Sequence, residues 1–187
     1  MGAMSEQPGR YQRSSGGLVG ALLVLLLVIG AFLAIRGFSR DNRATPVRTV
    51  DYVPVLKQAR ADHRLLAPAP DPMPNGWRAT SVRYVPGAHT SWHLGILTDQ
   101  AKYVGIEESQ QSPAEAVDSY LGTGAVKGTP IMIGRISWQT WSEPAGDFAL
   151  TYSLPSRTVF VGGSAGEQAV RTLTRRLSPF DTARLAG

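Results

Sequence analysis

The sequence predicts an α+β fold: a mainly antiparallel sheet of six or seven strands with two packed helices, preceded by one transmembrane helix. Three observations carry that expectation. Residues Gly16 to Ile35 run for twenty positions without a charge. From Trp77 onward, short alternating stretches are separated by turn residues, the pattern of half-buried strands. Helical periodicity is too sparse among those stretches, and comes too late, to supply the crossovers that parallel strands require.

Taken in order, residues 1–15 form a tail, 16–35 the membrane helix, 36–50 a juxtamembrane linker, 51–178 the α+β domain and 179–187 a C-terminal tail. Twenty helical residues at 1.5 Å each cross the ~30 Å hydrocarbon layer. A cleaved signal peptide has a shorter apolar core, ~7–15 residues, and a small-residue cleavage site. The stretch RGFSRDNRAT after Ile35 holds no such site, so a retained signal anchor is expected, with the lipid bilayer as partner through residues 16–35. Orientation is contested. Four arginines (Arg36, Arg40, Arg43, Arg48) follow the apolar run and two (Arg10, Arg13) precede it, which by the positive-inside rule favours a cytoplasmic domain, yet long domains translocate largely regardless of charge.

The net charge of +5 belongs mostly to those flanks. Up to Thr49, six arginines face Glu6 and Asp41, a net of +4, and the rest of the chain carries +1. A nearly neutral domain is unlike one built to track phosphates, so no nucleic-acid partner is expected. The absence of cysteine excludes disulfides and thiol chemistry.

Within the domain, Pro54 near a first turn and Val55, Leu56 and Ala59 at helical spacing predict a short helix. The segment LAPAPDPMPNG, with four prolines in eleven residues, reads as an extended linker. Seven strands follow, in WRATSVRYVPG, HTSWHLGIL, KYVGIEES, TPIMIG, RISWQTWSE, DFALTYSL and RTVFVGG. One helix interrupts them, starting at Ser112-Pro113-Ala114-Glu115 with capping-box spacing and stopping at Gly122. Another follows them, starting at Ser164 with Val170, Leu173 and Leu177 on one face and Arg171, Arg175 and Arg176 opposite.

No catalytic constellation assembles itself from these residues. Gly162-Gly163-Ser164-Ala165-Gly166 has the G-x-S-x-G spacing of a nucleophile elbow, but that arrangement needs a histidine after the serine, and His63, His89 and His93 all precede it. Ser164 reads instead as a helix cap, boxed with Glu167. His89 and His93 share a strand face without a third ligand, so no metal is expected. Glu107 and Glu108, adjacent on a strand, point to opposite faces and read as surface charge. Gly122-Thr123-Gly124 follows a helix and makes no dinucleotide fingerprint, and no cofactor is expected.

The strings VDYVPVLKQAR, GWRATSVRY, WHLGILT, KYVGIEES and RTVFVGGSAGEQAVRTLTRRL together resemble the domain of unknown function 4245 family, over most of the chain from Gly17 to Leu177. That resemblance implies an N-terminal anchor in the plasma membrane and an extracytoplasmic domain in the cell envelope of an actinobacterium. It brings no catalytic residues with it.

Strand parity locates a candidate surface. Trp92, Leu94 and Ile96 can share a face with Val104 and Ile106 only if Gly95 lies across from an odd position such as Gly105, which requires an odd loop, Asp99-Gln100-Ala101. The other face then collects His93, Gly95, Tyr103, Gly105 and Glu107. Ile136 and Trp138 keep to the core side and Trp141 goes to the other. Tyr103, His93 and Trp141 are therefore the candidate partner-binding residues. The competing expectation has the helix near Val55 and the proline segment cover this face. The function expected is a non-enzymatic interaction module of the envelope, binding a protein partner. The alternative is a small-ligand-binding domain or an enzyme acting on an envelope component.

Overall fold

A computed structural model describes residues 48–178. The transmembrane helix expected at 16–35, both tails and most of the 36–50 linker lie outside the described residues. Among the described residues, no helix is long and apolar enough to cross a membrane.

The first helix, α1 (Val53–Ala61), has Pro54 in its first turn, and the Asp51 carboxylate accepts the Val53 N–H at 3.1 Å. Next come the short β1 (Ala69–Pro70) and a three-strand meander of β2 (Arg78–Val85), β3 (Ser91–Leu97) and β4 (Tyr103–Ser109). Helix α2 (Pro113–Tyr120) leads to the short β5 (Val126–Lys127) and β6 (Ile131–Ile133). A second meander, β7 (Ile136–Ser142), β8 (Phe148–Leu154) and β9 (Arg157–Gly163), precedes α3 (Gly166–Thr174) and β10 (Leu177–Ser178). The main sheet runs β2-β3-β4-β9-β8-β7-β5, with β6 also on β7, and all its pairings are antiparallel. All seven expected strands are present, and three helices pack on the sheet rather than two, because α1 buries Ala59 and packs Val55 and Leu56 on the core.

One sheet face carries the main core. Trp92, Leu94, Ile96, Val104, Ile106, Leu150, Val159 and Val161 are all fully buried there, with Val170 and Leu173 of α3 above them. Burying each large side chain contributes ~1.5–3 kcal/mol. The register is the one parity demands: Gly95 faces Gly105, and Thr98 and Lys102 close a three-residue loop. Ala101 takes the left-handed conformation there, φ 56°, after a turn in which its N–H reaches the Thr98 carbonyl.

The proline segment is no linker. Ala67, Pro68, Ala69 and Pro70 are buried, and β1 pairs with β10. Proline carries no N–H, so a proline-rich segment brings few donors into the interior. Those that remain are met: Glu108 accepts the N–H groups of Leu66 (3.2 Å) and Ala67 (2.9 Å), and the Asp71 N–H reaches the Arg176 carbonyl. The segment in turn accepts the Trp92 indole N–H on the Pro68 carbonyl at 2.9 Å.

Candidate functional site

Helix α2 covers part of the second sheet face. Its start is the expected capping box, Ser112 accepting the Glu115 N–H while the Glu115 carboxylate takes the Ser112 N–H. Ala116 and Val117 then pack on Ala149 of β8 and Phe160 of β9, with Trp141 at the margin of this cluster. Helix α1 and the proline segment belong to the main core on the opposite side, so neither covers the candidate face as the competing expectation had it.

The other half of this face, over β2, β3 and β4, holds a polar cluster. A bulge makes it. The β2–β3 register shifts between Ala79 and Ser81, leaving Thr80 as the extra residue, and alternation is reset there. Ala79 before the bulge and Val82 after it both turn to the core, so Ser81 faces the second side, next to His93. The Ser81 hydroxyl lies 2.8 Å from His93 Nε2. His93 Nδ1 makes a short contact with the Glu107 carboxylate from β4. A carboxylate only accepts, so Nδ1 carries a proton toward Glu107, and Nε2 is the ring nitrogen that meets the Ser81 hydroxyl.

Glu107 also accepts a hydrogen bond from the Tyr120 hydroxyl at the end of α2, whose ring sits 5.0 Å from that of Phe160. Burial, then the Glu107 charge and this hydrogen bond, raise the Tyr120 pKa. Burial and the same charge raise that of Tyr103. Both phenols therefore remain donors at neutral pH. Tyr103 lies over the glycines: a Cβ on Gly105 would come 2.9 Å from its hydroxyl oxygen, and one on Gly95 would come 3.2 Å from it and collide with Ser81 Oγ. Alanine at Gly95 would thus close the space through which Ser81 reaches the imidazole. Arg83, exposed and across from His93, completes the cluster.

Two of the expected residues, His93 and Tyr103, come together here. Trp141 does not join them. It lies on β7, four strands from β3, roughly 19 Å away at ~4.8 Å per strand. There it is half-buried, its indole N–H donating to Thr151 Oγ1 at 2.9 Å and Lys127 Nζ standing 5.9 Å from its ring centroid. Ser81 was not among the expected residues, since a bulge leaves no mark in strand alternation beyond one misplaced polar residue.

Three further readings are corrected. Glu107 and Glu108 do point to opposite faces, but both are buried rather than surface charge. Ser164 is not a cap. Helix α3 starts from Ala165 with no side-chain cap, because Gly163 (φ +145°) and Gly166 (φ +79°) carry the chain through a turn first. The Ser164 hydroxyl instead accepts the Tyr103 N–H at 3.4 Å, and Glu167 pairs with Arg171. His89 is exposed and lies 3.3 Å from the Gln110 side chain, apart from His93. It borders a polar cavity of about 590 Å³ with Thr90, Gln110, Glu115 and Asp118.

The family model described as "Protein of unknown function (DUF4245)" matches residues 10–177. The chain belongs to the DUF4245 family. No curated protein and no solved structure matches it. The match takes in both the apolar run at 16–35 and the sheet that carries the Ser81–His93–Glu107 cluster, so membership in DUF4245 rests on the chain as a whole.

Proposed function

We propose that this DUF4245 protein is a single-pass plasma-membrane protein whose extracytoplasmic domain is an interaction module of the cell envelope, docking an envelope partner on the second sheet face around His93 and Tyr103. The observation that supports it most is the cluster itself. Glu107 holds His93 from one side, Ser81 from the other, and the 37% exposed Tyr103 is steadied over two glycines, so little side-chain entropy remains to be lost when a partner arrives. The uncharged run at 16–35 supports the anchor. Trp141, on the other flank of α2, adds a second edge.

Two measurements test this reading. Alkaline phosphatase fused after Gly187 should be active, and external protease should remove the domain from spheroplasts. Full protection of the domain would sink the placement. A photo-crosslinking amino acid at position 103 in native membranes should capture one partner that the same probe at Lys57, on the opposite side of the sheet, does not. With that partner in hand, Trp141→Ala should weaken association by more than ~1 kcal/mol. Identical products at both positions would overturn the docking face.

A further inference from the structure

We propose that Ser81 is an activated nucleophile, with His93 as its general base and Glu107 as the orienting acid, acting on acyl esters laid across the Gly95–Gly105 floor. The inference is independent of where the domain sits and of any protein partner.

Four features of the structure point the same way. The serine hydroxyl and His93 Nε2 are at hydrogen-bonding distance, and the acid holds the other ring nitrogen, which is the arrangement that activates a serine in unrelated folds. The β2 bulge turns Ser81 to this side, and bulges recur where a strand re-aims a functional side chain. Gly95 leaves the space that Ser81 needs to meet the ring. Finally, the Tyr103 hydroxyl approaches the same point of the floor, where a donor can face the oxygen of a tetrahedral intermediate. Burial keeps that phenol protonated.

The step balances with these groups alone. Ser81 Oγ bonds to the acyl carbon as its proton passes to His93 Nε2, and the carbonyl π pair moves to the oxygen that Tyr103 faces. Glu107, holding Nδ1–H, offsets the charge of the imidazolium. Collapse of the intermediate breaks the ester C–O bond, and the departing alkoxide takes the proton from Nε2. Water then enters by the same relay, releasing the acid and restoring Ser81.

The test uses the purified full chain with a fluorophosphonate probe and p-nitrophenyl acetate. Mass spectrometry should place the phosphonyl group on Ser81. Ser81→Ala should abolish labelling, and His93→Gln or Glu107→Gln should slow it by roughly 10²–10⁴-fold. Labelling of Ser81 no faster than that of the exposed Ser164, or label retained in Ser81→Ala, would overturn the proposal. Because the chain has no cysteine, Ser81→Cys gives an independent reading on a clean background. Iodoacetamide should alkylate it at least about tenfold faster than Ser164→Cys, and adding His93→Gln should remove the advantage, since a neighbouring base raises the thiolate fraction. Equal rates at the two positions would refute the relay even if Ser81→Ala failed to fold.

Discussion

Glu108 is a carboxylate with no exposed surface, set among the side chains of the main core. Burial raises its pKa, and the N–H groups of Leu66 and Ala67, with Arg157 at 3.7 Å, only partly oppose that. The folded state holds this proton above the pH at which the unfolded chain, near ~4.3, releases it. Stability from Glu108 is therefore complete below that value and is lost as pH rises through the raised folded value. Glu108→Gln cannot titrate. Urea unfolding of both proteins from pH 4 to 8 should show the wild-type advantage shrinking with pH and then levelling, whereas a constant difference would mean that the site does not couple to protons. Sequence alternation placed Glu107 and Glu108 on opposite faces correctly. It could not show that the two faces were occupied, because the groups that bury them, the proline segment and Tyr120, come from other parts of the chain.

At the scale of elements, the two serines expected to cap helices behave differently. Ser112 satisfies an orphan helix N–H, and Ser112→Ala should cost ~1 kcal/mol. Ser164 makes only a long, exposed contact, so Ser164→Ala should cost less than ~0.5 kcal/mol. Thermal melting of the two variants side by side distinguishes them; equal losses would restore Ser164 as a cap. In the β3–β4 hairpin, Ala101 occupies a left-handed position that glycine adopts without steric cost, and Ala101→Gly should raise stability by ~0.5–1 kcal/mol despite glycine's greater unfolded entropy. A lower melting temperature would contradict this. That hairpin was legible down to its register, since Gly95 and Gly105 sit at matching points of two alternating strands. The β2 bulge was not, for one inserted residue changes the face of everything after it while leaving local composition untouched. Within the candidate site, Ser81 and Arg83 take their side of the sheet from that shift.

At the scale of the molecule, two antiparallel meanders meet along β4 and β9, with Gly105 opposite Gly162. The seam is tight. A Cβ on Gly162 would come 2.5 Å from Ala149 Cβ and 2.8 Å from the Phe160 ring, so Gly162→Ala should destabilise by ~1–3 kcal/mol, measured by denaturant unfolding. An unchanged midpoint would show that β8 can yield. The seam also sets a clock on synthesis. Gly162 leaves the ribosome roughly sixty residues after Gly105, a delay of ~3–12 s at ~5–20 residues per second. Through that interval β4 is an uncovered edge, open to strands of neighbouring chains. Charges on an edge strand oppose such pairing, and here one carboxylate projects from each side of the ribbon. Refolding Glu107→Gln/Glu108→Gln beside the wild type should give aggregates at lower protein concentration, and equal yields would argue against it. On that account the two adjacent acids guard the nascent half-sheet for several seconds before either takes up its place in the finished protein.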